Sequence, residues 1–263
     1  MLNISISVFK KKHQNKKNQI LFHTIKSNGI KETENLINNF LIEKNSFIFE
    51  SVEKGKIKGR YTILGRNPDS IWEFQGKKCM RKVNKKIKIL KKSPKEIIDH
   101  IIENFKFKIP KELPNISSII SGYFSYDIIR YIENIPNNCK DDLNIPDVRL
   151  IRPRSLIIID NLEKKIHFIR IFFKDEKVRN YSESFNVIKN DIEDLVLLAN
   201  TKNFYGKEEK KRTVKVKSNV SKKRFLNNVI KAKEYIKKGD IFQVVLSQRF
   251  KAKFKNNYLI SRW

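Results

Sequence analysis

Polar side chains that could orient a substrate alternate with apolar ones in the run KKGDIFQVVLSQRF, residues 237–250. On a strand, Phe242, Val244 and Leu246 would face one way, and Gln243 and Ser247 would face the other. A side-chain amide can donate and accept hydrogen bonds, either to a ligand or to a buried backbone group. The pattern therefore predicts a strand with one polar face, and both uses of the amide remain open.

The element that must position this strand is an amphipathic helix directly before it. Apolar residues recur at helical spacing from Phe225 to Ile236. Ser221 stands where an N-cap belongs, and Gly239 follows as a C-cap. The run predicts a helix, a glycine stop and then the polar-faced strand.

Other catalytic patterns are missing from the sequence. The four histidines (His13, His23, His100 and His167) are scattered, and no HExxH, GxGxxG or Walker-type loop occurs. The acidic pairs Asp141–Asp142 and Glu208–Glu209 lie in predicted loops, where solvated carboxylates are expected. Motifs by themselves therefore predict no activity.

The charge is extreme, since 57 Lys and Arg oppose 28 Asp and Glu for a net +29 over 263 residues. Such a balance is typical of nucleic-acid-binding proteins. The lysines are spread along the whole chain, however, and no RNP or helix-turn-helix pattern accompanies them. A solvated lysine surface is the favoured interpretation, with nucleic-acid binding as the rival class.

Cellular location follows from two further features. Cys79 and Cys139 lie far apart and form no CxxC pair, which favours a reducing cytoplasm over a disulfide framework. No apolar run reaches the length of a membrane span, and the N-terminal run is too short for a secretory signal. We therefore expect a cytoplasmic protein without membrane contact.

Strands followed by helices, without regular βαβ alternation, predict an α+β fold with antiparallel sheets flanked by helices. SPKE at Ser93 is a capping box with proline at the first helical position. Gly65, Pro68 and Gly76 are expected to be turns. The predicted helices lie near 31–42, 93–105, 178–198 and 221–236, with a short one stopped at Pro136. The predicted strands are 46–51, RYTILG, IWEFQ, the basic pieces around Val83 and at 87–90, a segment ending at 122–126, and the hairpin VRLIRPRSLIIID–KIHFIRIFF.

Domain organisation follows from the charged, polar segment 200–220, which is the best linker candidate. It predicts a first domain over 1–199 and the start of a second over 221–263.

Four blocks in order resemble the anthranilate synthase component I family of chorismate-utilising enzymes. They are FIFESVEKGKIKGRYTILGRNP, SGYFSYDIIRYIENIP, DVRLIRPRSLIIID and KKGDIFQVVLSQRF. The resemblance implies that 1–199 is a tryptophan-regulatory domain and that 221–263 begins a chorismate-binding domain. The related aminodeoxychorismate synthases tend to have asparagine after the valine of the last block, where this chain has Val244–Val245, and they are the enzyme alternative.

The resemblance implies the reaction of chorismate with ammonia to give anthranilate and pyruvate in tryptophan biosynthesis. It implies that a glutamine amidotransferase subunit (component II) supplies the ammonia, and that Mg²⁺ holds the substrate carboxylate. The family's metal-binding and acid–base residues belong to a part beyond Trp263. The chain is therefore expected to be a fragment that is inactive alone.

Site residues come from the same resemblance. Related isochorismate synthases, which use water, carry lysine where this chain has Gln243, so Gln243 is the candidate catalytic residue. Glu50 and Ser51 match the family's feedback pocket for L-tryptophan, with Arg60 as a nearby counter-charge. Tyr126 and Asp127 are interpreted as a pair capping the helix that follows, and Ser247 as structural.

Overall fold

The computed structural model describes residues 2–27, 33, 36–37, 39–40, 43–50, 59–83, 86–138, 141–201 and 215–253. The chain forms two compact units, residues 1–203 and residues 204–263. The predictions at Ser51 and Cys139, and those in most of the linker, lie outside the described residues.

A long antiparallel ladder between two strands is the spine of the first unit. Strand β3 (Tyr61–Gln75) pairs with β7 (Val148–Asp160) over nearly its whole length. The register shifts between Pro68 and Ser70, which leaves Asp69 in a bulge. Pro68 lies opposite Pro153, and neither residue has an N–H to donate to the ladder. The bulge absorbs this break, so β3 continues where two separate strands were predicted.

The other strands extend the ladder on both sides, and the pairings among the described strands of this sheet are all antiparallel. The main order is β1-β8-β7-β3-β4-β5, with β2 on β3 and β6 on β7. Their bounds are β1 Gln19–Lys26, β2 Phe47–Glu50, β4 Lys78–Val83, β5 Lys86–Leu90, β6 Ser121–Phe124 and β8 Lys165–Phe172. The predicted α+β class with antiparallel sheet is confirmed, and so is the hairpin of β7 and β8.

Helices flank this sheet. They are α1 (Ile6–Gln14), α2 (Pro94–Asn104) and α3 (Tyr181–Asn200), with a short 3-10 helix at Tyr126–Tyr131. The capping box is present, since the Ser93 hydroxyl accepts from the Glu96 amide and the Glu96 carboxylate accepts from the Ser93 amide. Of the helix predicted near 31–42, the described residues 33, 36, 37, 39 and 40 are helical.

Three buried clusters hold the unit together. One lies between the sheet and α1 and α3 and includes Leu36, Phe40 and Ile157. A second, on the other face, includes Leu156 and Ile158. Consecutive β7 residues thus face opposite clusters, which explains the uninterrupted apolar run of this strand. The third cluster packs α2 against the ends of β3, β4 and β7.

Several local predictions in the first unit were wrong. Gly65 and Pro68 lie within β3 and are not turns, because β7 offers one continuous partner to both halves of the strand. The expected Tyr126–Asp127 cap is absent: the N-cap residue is Ser125, Tyr126 is 94% exposed, and Asp127 accepts from Arg130. Helix α1 and strand β1 were not predicted.

The second unit contains β9 (Val216–Ser218), α4 (Lys222–Lys238) and β10 (Phe250–Ala252). Ser221 accepts from the Arg224 amide, and Gly239 has a left-handed backbone (φ 79°), so both predicted caps of α4 are confirmed. β9 pairs with β10 and occupies the end of the predicted linker. The strand predicted through Gln243 is absent, because residues 241–249 have no ladder partner in the described part of the chain.

Candidate functional site

One corner of the sheet brings together the start of β3, the end of β2 and the turn between β7 and β8. Glu50, the last residue of β2, pairs with Thr62 of β3. Arg60 directly precedes β3, so both residues lie at the same end of this ladder. Ser51 lies outside the described residues. The corner thus collects two of the three side chains that were predicted to bind an effector.

The guanidinium of Arg60 is held by Asp160, the last residue of β7. Arg60 Nε donates to both carboxylate oxygens at 3.1 Å, and Nη2 donates to Oδ2 at 2.8 Å. The guanidinium also lies over the Tyr61 ring, 4.8 Å from its centroid. Within the described part of the chain, Nη1 is the guanidinium nitrogen without a hydrogen bond, and about a third of the side chain is exposed. One donor edge of Arg60 therefore remains available to a ligand.

Asp160 also accepts from the backbone amides of Leu162 and Glu163 at 3.0 Å. Burial works against this carboxylate, but the hydrogen bonds from Arg60 and the two amides outweigh it and lower the pKa of Asp160. The same hydrogen bond from Arg60 to Asp160 raises the pKa of Arg60. Glu163 Oε1 lies 3.9 Å from Arg60 Nη2, so the corner is a fixed ion pair of Arg60 and Asp160 with a second carboxylate at its exposed edge.

His167 of β8 lies two ladder positions deeper than the pair of Asp160 and Lys165 at this corner. It pairs with Ile158 of β7 and with Thr24 of β1, and Thr24 Oγ1 lies 2.8 Å from His167 Nδ1. Burial lowers the pKa of His167, which favours the neutral imidazole. A neutral, hydrogen-bonded histidine here supports the sheet rather than adding charge to the corner.

Gln243, the predicted catalytic residue, belongs to the second unit. It is exposed and lies in the irregular segment 241–249, as does Ser247. The apolar neighbours Phe242 and Val245 are 100% and 81% exposed. In the described part of this unit, Ala232, which is 9% exposed, is the one apolar residue that counts as buried. The segment that carries Gln243 thus presents an uncovered apolar surface.

Buried charge pairs in the first unit went unrecognised at the sequence level. Arg152 of β7 donates Nε to Asp69 Oδ1 at 2.8 Å, and its Nη2 contacts Asp69 Oδ2 and the carboxylate of Asp175. A signal for such pairs existed, since VRLIRPRS places three arginines in a strand that is otherwise apolar.

No candidate metal centre and no membrane span emerge from the described segments. They contain no group of three or more His, Cys, Asp or Glu side chains that could hold a metal ion. None of their helices is long and apolar enough to cross a membrane.

Comparison with known proteins gives consistent results. The family model described as chorismate binding enzyme matches residues 45–261, which include parts of both units. Proteins named anthranilate synthase component 1 are similar over most of the chain: that of Acetivibrio thermocellus is 37% identical over 77% of this chain and 42% of its own length. The proteins of Aquifex aeolicus and Cereibacter sphaeroides are 32% and 29% identical, over 86% and 80% of this chain and 47% and 43% of their own lengths.

The fold is similar to that of a solved structure as well. The crystal structure of anthranilate synthase component I from Streptococcus pneumoniae TIGR4 aligns with a TM-score of 0.62 at 22% identity, covering 82% of this chain and 46% of that one. The chain spans about half the length of the curated relatives it matches. Because the family model covers well over half of its residues, this chain belongs to the family of chorismate-binding enzymes.

Proposed function

We propose that the chain contributes one half of the large subunit of anthranilate synthase, which converts chorismate and ammonia to anthranilate and pyruvate in tryptophan biosynthesis. The observation that carries this proposal is the extended similarity to proteins named anthranilate synthase component 1. The four sequence blocks support it, since they occur in family order. The absence of paired cysteines in the sequence is consistent with the cytoplasm as the compartment.

The proposal includes a covering partner for the second unit. Leu226, Ile230 and Ile236 of α4 are each between 44% and 58% exposed, and Phe242 is fully exposed. Large apolar surfaces of this kind are usually buried against another protein segment. We assign that role to the remaining part of the chorismate-binding domain, and we expect the present chain to be inactive without it.

Gln243 is proposed to orient the substrate in the assembled domain. Its amide carries no charge at neutral pH, so it can hydrogen-bond to a substrate oxygen but cannot remove a proton from water. Ammonia needs no such activation because its lone pair is already nucleophilic. An amide at this position therefore suits an ammonia-using enzyme.

The corner at Arg60 is proposed to hold L-tryptophan as a feedback inhibitor. The Glu50 carboxylate and the Ser51 hydroxyl would receive its ammonium group, while Arg60 Nη1 would donate to its carboxylate. Arg60 can do so without leaving Asp160, since Nε and Nη2 make the contacts to that residue.

A glutamine amidotransferase subunit is proposed as the source of ammonia, and Mg²⁺ as the ion that neutralises the chorismate carboxylate. The described residues do not fit a metal site by themselves. No step is therefore assigned to Mg²⁺ through this chain, and its ligands would come from the covering half.

The test is reconstitution from two pieces. The chain would be mixed with the C-terminal part of the Acetivibrio thermocellus relative, from the end of the similar region onward. Chorismate and ammonium chloride are supplied, and anthranilate fluorescence is recorded. We expect fluorescence only from the mixture, and a drop of at least about tenfold for Gln243→Ala. Asn227→Ala, an exposed amide in α4, is the matched control and should retain full activity.

Other results would contradict the proposal. An amino derivative of chorismate that retains the enolpyruvyl side chain would favour the aminodeoxychorismate synthase alternative. A mixture that forms a stable complex without consuming chorismate would overturn the proposed activity. Tight binding to single-stranded RNA that weakens steeply with salt would favour the nucleic-acid-binding class instead.

A further inference from the structure

A cavity of about 560 Å³ lies in the first unit, between helix α2 and the hairpin of β4 and β5. This volume is within the range that encloses small organic ligands. Trp72 lies at its base, ten residues along β3 from Thr62, the partner of Glu50. At about 3.3 Å per residue the cavity is roughly 30 Å from the Arg60 corner. It is thus a separate place from the proposed effector site.

One wall of the cavity is apolar. Ile97 and Ile101 of α2 are buried and line it, together with the partly buried Leu90 of β5. Phe105, just beyond α2, adds an aromatic edge. Such a wall gains free energy by taking an apolar ring out of water.

The rest of the lining is strongly basic. Among the described residues, Asp175 is the one acidic residue in the lining, whereas six cationic residues belong to it: Arg81, Lys88, Lys91, Lys92, Arg152 and Lys174. Arg152 is compensated by Asp69 and Asp175, and Arg81 also reaches Asp175.

Three lysines on the rim lack a direct salt bridge within the described part of the chain. Lys88, Lys91 and Lys92 make no ion pair with any residue that the structure describes. The Glu96 carboxylate interacts electrostatically with Lys92, but its hydrogen bonds come from the Ser93 amide and hydroxyl in the capping box. Lys174 Nζ donates to a neutral oxygen of Asn104 at 2.9 Å. Positive charge is therefore in excess directly beside the apolar wall.

The arginines at the base are held in place. Arg81 Nη2 donates to the Ser70 hydroxyl at 2.7 Å, and the guanidinium of Arg81 lies 5.4 Å from the centroid of the Trp72 ring. Arg152 lies 5.8 Å from the same centroid. The base is therefore rigid and its arginines are paired with carboxylates, so the excess positive charge that a ligand would meet comes from the lysines on the rim.

We propose that this cavity binds an aromatic carboxylate. The ring would lie against Leu90, Ile97 and Ile101, and the carboxylate would meet Lys91 and Lys92. Inorganic phosphate fits less well, because the capping box already occupies the first amides of α2 and because phosphate leaves the apolar wall in water. The proposal goes beyond the synthase reaction and does not depend on it.

The test uses the two tryptophans of the chain, Trp72 and Trp263. The protein is labelled with 5-fluorotryptophan, and Trp263→Phe assigns the ¹⁹F resonance of Trp72. Titration with 2-naphthoate should shift that resonance saturably, with a Kd of about 1 mM or below, as is typical for a ligand of this size. The neutral isostere 2-naphthylmethanol and inorganic phosphate should each bind at least about tenfold more weakly.

Charge variants complete the test. Lys91→Gln with Lys92→Gln should raise the Kd for 2-naphthoate roughly 3- to 10-fold, the scale of two partly exposed ion pairs. Lys222→Gln with Lys223→Gln removes the same net charge from the exposed start of α4 and should leave the Kd unchanged. The proposal would be overturned if the two double-lysine variants changed the Kd for 2-naphthoate equally, or if phosphate bound as tightly as 2-naphthoate. A Trp72 resonance that does not move on titration would also overturn it.

Discussion

Arg152 and Asp69 form a buried ion pair at the bulge of β3, with side chains 10% and 6% exposed. The bulge makes this contact possible, because the extra residue turns its carboxylate toward the neighbouring strand. Arg152 also lies 3.9 Å from the centroid of the Phe173 ring, so its guanidinium is enclosed on several sides. The register of β3 against β7 is thereby tied to one charged contact.

Removing one partner of this ion pair should destabilise the protein. We expect Asp69→Ala to lower the free energy of unfolding by about 3 kcal/mol, because it leaves a buried guanidinium with only the half-exposed Asp175. Asp175→Ala, the matched carboxylate, should cost less than about 1 kcal/mol. Urea titration of both variants gives the comparison. Similar losses for the two variants would contradict the assignment of Asp69 as the main partner.

Acid should destabilise the protein partly through Asp160. The folded-state pKa of this carboxylate is lowered below its ordinary 3.8, so its contribution is present above that pH and is lost as pH falls through the folded pKa. Asp160→Asn should therefore flatten the dependence of unfolding midpoint on pH below about pH 4. Asp141→Asn is the control, since Asp141 also accepts two backbone amides but no arginine in the described part of the chain. An unchanged slope in Asp160→Asn would refute this account.

His167 should make the stability of the protein depend on pH at higher pH values than Asp160 does. Burial lowers its pKa below 6.5, so the unfolded chain takes up a proton before the folded one does. Stability should then decrease as pH falls from about 6.5 toward 5, where the folded protein must hold the imidazole neutral. His167→Gln should remove part of this decrease, and His100→Gln, at an exposed position on α2, should not. Thermal unfolding at pH 7.5, 6.5 and 5.5 provides the measurement.

Gly65 packs closely against Phe47, so we expect the energetic effects of substitutions at these two positions to be coupled. A Cβ at Gly65 would lie 2.2 Å from Cζ of Phe47, which pairs with it across β2 and β3. We expect Gly65→Ala to cost about 2 kcal/mol, because the ring must move out of its place. In a Phe47→Ala background the same change should cost under about 0.5 kcal/mol. Equal costs in the two backgrounds would show that the ring is not the obstacle.

Local chemistry accounts for the parts of the fold that were predicted correctly. The capping box at Ser93, the caps at Ser221 and Gly239, and the hairpin of β7 and β8 each depend on residues close together in the chain. Their energies come from neighbouring hydrogen bonds and periodic burial, so single segments report them. The α+β class follows from the order of these segments.

Contacts across long separations account for what was missed. Gly65 and Pro68 have the composition of turns, yet β7 draws both halves of β3 into one ladder. The partner of Arg60 is 100 residues away and that of Arg152 is 83 residues away, so no local pattern identifies either pair. Conversely, residues 241–249 alternate as a strand should, but alternation forms no strand without a neighbour to accept its hydrogen bonds.

The sequence by itself therefore determined the family, the class of fold and the ends of α2 and α4, because those depend on residue types in order. Only the tertiary structure decided which charges meet. It placed Asp160 on Arg60, Asp69 on Arg152, and a group of lysines without salt bridges in the described part of the chain beside an apolar wall. The physical reason is that charge compensation depends on distance in space, which sheet register and helix packing set.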